Sequence, residues 1–470
     1  MSFLARSYGL VMLAATPLLG GALCGTANSA PLIAADQGDA YYSPNIDTLQ
    51  AASPLGLRTY LSTDQKQYME QSYVWGGPLI ADDGTTSYAA FEMQRNDPNP
   101  LLVVRNPLPS VTAAFLYNDG SGFQFGAVSG KAESEISVAF NSYPWSATAT
   151  QLIPAANPEF VDIRVVEGQI GAKGAIYELT TSVISNTGHI LGSYVRAKDT
   201  TGIMQWGYGP SGFSPMWIFD NQREAINASF QGSVANYLAA TGDPMRSQGQ
   251  YYFTMPMLKV QEFQILQDGN VVKQGTDGYL WFDSVDRSYD LKAQQVVYGD
   301  SYQPWSIGWT EFSVAIPATG EAFKIGQTVS SMPETFLGLP LPHVGSFPYA
   351  TLVSRGSKKA PNGAYVGKTF WGINAIHLNP VESSKWIDPV TGNAYYLAWD
   401  VNLDKSKDSE AVRLHFEQLV PNEEVVIPGA GARTVMEGVY GVTGTIGSRH
   451  VKGWSLLEVQ NPGQLTPPSN

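Results

Sequence analysis

Apolar and polar positions alternate along much of the chain in short runs closed by Gly, Asn, Asp or Pro. In residues 174–184, Tyr177, Leu179, Thr181 and Val183 fall on one side of an extended backbone, and Ile176, Glu178, Thr180 and Ser182 on the other. Residues 278–285 and 451–459 carry the same two-residue period, that of a strand with one buried face. Turn sequences lie between such runs: Asp82-Asp83-Gly84, Asn118-Asp119-Gly120, Asn186-Thr187-Gly188, Gln267-Asp268-Gly269 and Val390-Thr391-Gly392. Several supply the positive φ that tight hairpins need. Helical periodicity is nearly absent, with residues 224–240 the best candidate. Many short strands and few helices predict an all-β chain of barrels or sandwiches rather than βαβ units. Residues 119–130 read as a Gly-rich hairpin or loop and 328–346 as a long ordered loop. Residues 404–410 read as a solvated turn, and the C-terminal PGQLTPPSN as a frayed tail.

The first 30 residues depart from this pattern. Arg6 precedes an apolar run from Gly9 to Leu23, and small residues follow. That is the layout of a secretory signal peptide, with cleavage expected between Ala27 and Ala35. The run is shorter than a membrane span and is broken by Pro17. The protein is therefore expected in the secretory pathway or periplasm, without a membrane span. Cys24 is the only cysteine, so the mature chain is expected to lack disulfides and thiolate chemistry. Asn227-Ala228-Ser229 is a glycosylation sequon, relevant in a eukaryotic host. The polar stretch 286–303 is the most plausible internal boundary. It sets a leader over 1–30 and two β domains over 31–298 and 299–470.

Composition narrows the function. The 470 residues carry a net charge of −13, which argues against nucleic acid as a partner. Only 15% of residues are charged while 43% are hydrophobic, as in a chain with a large core. Gly209-Pro210-Ser211-Gly212-Phe213 lacks the final glycine and the strand–helix setting of a nucleophile elbow. Gly299-Asp300-Ser301-Tyr302 has the same defect. Gly429 and Gly431 do not form a dinucleotide fingerprint. His189, His343, His377, His415 and His450 share no ligand spacing, so no metal is expected.

Acids among aromatics remain. Tyr279, Trp281 and Asp283 share one strand face. Trp305, Trp309 and Glu311 share a second, Trp454, Leu456 and Glu458 a third, and Tyr88 and Glu92 a fourth. A carboxyl beside an indole in an apolar setting keeps its proton to higher pH and can act as a general acid. The plain alternative is that the aromatics pack a core while the acids face solvent or cap turns.

Three segments in order resemble one family. Residues 72–95 are similar to the opening aromatic hairpin of the lipocalin-like carotenoid hydratase (hydroxyneurosporene synthase, AttH-like) superfamily. Residues 278–290 with 305–325 resemble its central G-x-x-W-x-D segment and the G-W-x-x-F strand that follows. Residues 440–459 resemble its closing strand. The resemblance implies two lipocalin-like antiparallel β-barrel or sandwich domains and an apolar small-molecule substrate. It also implies cofactor-free chemistry, as in the superfamily's hydratases and its fungal Diels–Alderases. The hydratase segment continues from Asp into His-Glu-Trp, whereas Asp283 is followed here by Ser284, Val285 and Asp286. Water addition to an isolated alkene is therefore less expected than shaping and polarising a reactive polyene.

The leading expectation is a secreted, cofactor-free pericyclase or hydratase-like enzyme of secondary metabolism, acting on a polyene, polyketide or terpenoid. Asp283, Glu311 and Glu458 are its candidate catalytic groups. Trp75, Tyr88, Glu92, Trp281, Trp309 and Trp454 are the candidate substrate contacts. A non-catalytic binder of lipophiles and a carbohydrate-active sandwich are the alternatives.

Overall fold

A computed structural model describes residues 70–96, 111–130, 136–142, 145–151, 159–202, 204–206, 213–215, 249–288, 307–330, 335–336, 339–340, 346–353, 365–366, 369–371, 375–405, 409–427 and 433–460. The leader, Asn227, the helix candidate at 224–240, Trp305, His343 and the boundary at 298/299 lie outside the described residues.

The described chain is almost wholly strand, with helix confined to 3₁₀ turns such as Glu382–Ser384. Two large sheets hold it. Along the first, the strands run Phe123–Gly130, Val111–Asn118, Thr86–Asn96, Glu70–Ile80, Asp277–Ser288, Gly249–Gln267, Ile190–Asp199, Ile176–Ile184, Phe160–Glu167, Trp145–Gln151 and Ile136–Ser142. Along the second they run Thr369–Phe370, Ser346–Val353, Glu321–Ser330, Ile307–Ile316, Arg449–Gln460, Arg433–Ile446, Val412–Gln418, Ala398–Leu403 and Ile376–Pro380. Neighbours along both orders are antiparallel. A short parallel pair, Met204–Trp206 with Tyr365–Val366, ties a late segment to the first sheet.

The turns follow the chemistry of their residues. Asp268 and Gly269 both have positive φ (52° and 80°), as a two-residue primed hairpin requires. Asp83 caps its own turn by accepting from Thr85 N at 2.9 Å. Ile176–Ile184 buries Tyr177, Leu179, Thr181 and Val183, the face that its alternation marks. Residues 328–346 depart from a continuous loop: the Glu321–Ser330 strand occupies their start, and Thr335–Phe336 pairs with Leu339–Pro340. Residues 123–130 are strand, and the Asp277–Ser288 strand runs into the polar stretch at 286.

Both sheets curl. Asn186 N donates to Phe125 O at 2.8 Å, bringing one end of the first sheet against the Ile176–Ile184 hairpin. Trp371 performs the same closure in the second, donating its backbone N–H to Ala350 O at 3.3 Å and Nε1 to Asp404 O at 3.1 Å. Each sheet wraps its own core. One contains Tyr73, Trp75, Phe91, Phe115, Tyr177 and Phe282, the other Phe312, Phe323, Trp399, Phe416, Tyr440 and Leu457. Alternation sends the intervening residues to the outer faces, and a third cluster forms where these faces meet: Tyr88, Ala90, Met257 and Trp281 against Ala315, Val439, Trp454 and Leu456. The fold is all-β, with two lipocalin-like antiparallel units packed back to back. Among the described residues no helix is long and apolar enough to cross a membrane.

One buried acid lies away from that seam. Asp199 Oδ1 accepts from Thr201 N (2.9 Å) and Gly202 N (2.7 Å), while Oδ2 is buried without a partner. Burial raises its pKa to about 6. The folded state therefore holds this proton more tightly than the unfolded chain, and stability is lost as pH rises through about 6. Asp199→Asn keeps the capping oxygen and removes the charge. It is expected to raise the melting temperature relative to wild type at about pH 8, with a smaller gain near pH 5 that vanishes only below about pH 3.8. A gain independent of pH, read by thermal unfolding at the two pH values, would refute the assignment.

Candidate active site

The site grows from strand register. In the second sheet Glu311 stands directly opposite Glu458, and Glu458 directly opposite Glu437. Three neighbouring strands thus present a row of three carboxyls on one face, about 5 Å apart at Cβ. In the first sheet Val74 stands opposite both Glu92 and Asp283. That second row faces the first across the seam.

Side-chain contacts join the rows. Tyr88 donates its hydroxyl proton to Glu437. Lys324, 5% exposed, is ion-paired to Glu311, reaches Asp283 Oδ2 at 3.3 Å, and donates to Ser313 Oγ at 2.6 Å. Register explains its reach, since Lys324 pairs with Ser313, two residues along the same face from Glu311. Its ammonium also lies 5.9 Å from the centre of the Trp281 ring, whose indole N–H donates to Asp283. Trp454 completes the wall, edge-on to Trp281 at 6.5 Å and stacked on Tyr279 at 6.1 Å.

The carboxyls are half-buried. Burial is the main cause raising the pKa of Glu437 to about 7, with Glu92 and Asp283 adding to it and the Tyr88 hydrogen bond opposing it. Burial likewise raises Glu458 to about 7, helped by Glu437 and Glu311 and opposed by Lys324 and a hydrogen bond from Trp309. Both sit where a carboxylic acid donates at neutral pH. The Tyr88 phenol is pushed well above its usual range, by burial first and then by Glu437, so it stays protonated.

Behind the row lies Glu423, fully buried, accepting from Gln418 Nε2 at 2.9 Å and Val439 N at 2.8 Å. A Cβ on Gly438 would lie 1.8 Å from that carboxyl, so only glycine fits beside Glu437. The bend carrying Glu423 is clamped to the first sheet by Asn118 Nδ2, which donates to Pro421 O at 3.0 Å and Asn422 O at 2.9 Å. Among the described residues no group of His, Cys, Asp and Glu is arranged to hold a metal ion.

Of the residues singled out from sequence, Asp283, Glu311, Glu458, Tyr88, Glu92, Trp281, Trp309 and Trp454 come together at this seam. Trp75 stands apart. It is fully buried in the core of the first sheet, tilted against Phe282 at 4.6 Å, on the opposite strand face from Val74 and Gly76. Sequence reading passed over Glu437, Lys324 and Glu423. The signal for the first two was a charged residue among small or apolar positions of the same face: Val435, Glu437 and Val439, and Ala322, Lys324 and Gly326.

No family model and no curated protein sequence matches the chain. Solved structures do. A Nitrosomonas europaea protein assigned as AttH superposes with a TM-score of 0.53 at 14% identity, covering 86% of this chain and 95% of that one. Kievitone hydratase from Nectria haematococca gives 0.48 at 12% identity, covering 84% and 89%. CghA solved with Sch210972 gives 0.44 at 10% identity, covering 85% and 89%. The chain has the two-unit, lipocalin-like fold of the AttH-like superfamily that its sequence resembles.

Proposed function

We propose that the protein is a cofactor-free enzyme that binds an apolar polyene, polyketide or terpenoid in the seam between its two sheets and promotes its cyclisation, or a related loss or gain of water. The observation that carries this reading is the adjacent pair Glu437 and Glu458, half-buried and protonated near neutrality, beside Tyr88, Trp281 and Trp454. A neutral carboxyl can hydrogen-bond a substrate carbonyl, draw electron density from a conjugated system, and stabilise the oxygen as negative charge develops there. The aromatic walls would hold one reactive conformer, an effect worth roughly 7–11 kcal/mol when geometry is well matched. Asp283 and Glu311 are engaged by Lys324 and take the role of positioning it, leaving Glu437 and Glu458 as the acids. We further infer that residues 1–30 direct secretion and are removed, which N-terminal sequencing of the protein from its own host would test.

The test of activity is conversion of lipophilic extracts of that host, followed by mass spectrometry, for wild type and for Glu437→Gln combined with Glu458→Gln. Gln keeps the shape and removes the acidic proton. Conversion is expected to fall by about 10²–10⁴-fold. Retention of an unchanged lipophile at one per chain, with no product, would instead support a binding protein.

A further inference from the structure

We propose that the seam moves a proton within its substrate, turning an enolisable ketone, such as an enone or a β-dicarbonyl, into its enol. One carboxyl of the Glu437–Glu458 couple takes a proton from the carbon beside the ketone while the other gives one to the ketone oxygen. This rests on the reading of the seam as a substrate site and adds to it an activity and a substrate class. The couple is made by strand register. In an antiparallel pair a residue turns its N–H and C=O to the same neighbouring strand. Directly opposed residues are then either hydrogen-bonded, with Cα atoms about 5.5 Å apart, or not, at about 4.5 Å with the side chains closer. Glu437 N donates to Glu423 O at 3.0 Å, on the edge away from the Arg449–Gln460 strand. Val439 repeats the pattern, its O accepting from Leu419 N at 2.9 Å and its N–H donating to Glu423 Oε1 at 2.8 Å. Glu437 and Glu458 are therefore a pair of the closer kind. Glu458 turns its backbone to the Ile307–Ile316 strand, so its pair with Glu311 is the wider one.

Two half-buried carboxyls this close do not both ionise cheaply, and between their two macroscopic steps they share one proton. Charged and titratable groups around the couple include Tyr88, Glu92 and Asp283 from the first sheet and Glu311, Lys324 and Glu423 from the second. Burial, above these, places the titration of the couple about pH 7. Near neutrality one acid and one base therefore stand side by side. Each has a donor that serves its ionised form, the Tyr88 hydroxyl on Glu437 and the Trp309 indole on Glu458, so either gives up its proton without losing its hydrogen bond. The step balances within the site. The C–H bond breaks, its electron pair becomes the new C=C bond, and the carbonyl π pair takes the other carboxyl's proton as O–H. The two carboxyls exchange protonation states, and the charge of the site is unchanged. An enone converted in this way is an electron-rich diene, ready for cyclisation.

The test is deuterium uptake from deuterium oxide into β-ionone, a terpenoid enone, read by mass spectrometry with the full mature protein. Equilibrium dialysis of the same ketone measures its binding. Uptake is expected to exceed the buffer rate by about tenfold or more, with a bell-shaped pH profile whose limbs lie on either side of about pH 7. Glu437→Gln and Glu458→Gln should each cut the gain by about tenfold or more, and the double variant should fall no further than either, because the two act as a unit. Uptake at the buffer rate by a protein that binds β-ionone would overturn the proposal and leave the seam a site for lipophiles. So would single variants as fast as wild type, or a rate that climbs steadily towards low pH, since each carboxyl would then act as an acid alone. Neither binding nor uptake would overturn it together with the reading of the seam as a lipophile site.

Discussion

Lys324→Met is expected to destabilise the protein by about 3–5 kcal/mol near pH 8, the usual cost of stranding a buried charge partner. The ammonium is ion-paired to both Asp283 and Glu311 and sits between the two sheets. Methionine preserves most of the volume, so the loss is electrostatic rather than a cavity. A triple variant adding Asp283→Asn and Glu311→Gln removes both charges that the lysine serves, and should recover most of the stability, because a neutralised buried pair costs little. Denaturant unfolding of the three proteins near pH 8 decides the matter. A Lys324→Met protein within about 1 kcal/mol of wild type near pH 8 would mean that solvent reaches the cluster and screens it.

Much of the architecture was legible in residue alternation. The period of two in 174–184, 278–285 and 451–459, with turn residues nearby, specifies strands, and in 174–184 also the buried side, whereas 278–285 and 451–459 are buried on both faces. The same period grouped Trp281 with Asp283, Trp454 with Glu458 and Tyr88 with Glu92, and those groupings hold. Two things lay beyond it. Periodicity gives two faces per strand without ranking them, so Trp75 and Trp281 looked equivalent, yet one is core of a single sheet and the other lines the seam. Pairing across strands far apart in sequence is also unreadable from one chain: the alignment of Glu437 with Glu458 depends on the register of the 433–446 and 449–460 strands, and the Tyr88–Glu437 contact spans 349 positions. A lone Glu or Lys in an alternating strand therefore looks like a solvent-facing charge until its partner strand is placed.

The second large effect is a stability that falls as pH rises. Glu437 and Glu458 each have a folded pKa of about 7 against an ordinary value of 4.5. Where the folded state binds more protons than the unfolded chain, the free energy of unfolding declines with pH. The stabilisation is fully present below about pH 4.5 and is lost as pH climbs through about 7, on the order of 3 kcal/mol for each carboxyl taken alone. The two carboxyls are neighbours and part of each shift is their mutual repulsion, so the combined loss is less than the sum. Exposed acids elsewhere act in the opposite sense, since Asp268 is held below its usual range by the Ile190 backbone N–H and then His189, and Asp404 by His377 and then Arg413, but their exposure makes them minor. Melting temperatures are accordingly expected to be higher near pH 5.5 than near pH 8.5. Glu437→Gln with Glu458→Gln keeps acceptors for Tyr88 and Trp309 while removing both titrations. That variant should match wild type only below about pH 4.5, exceed it modestly near pH 5.5 and most near pH 8.5, and show a nearly flat profile between. Curves for wild type and variant that decline in parallel would place the pH dependence elsewhere, and would leave the seam carboxyls ionised and unfit to act as acids at neutral pH.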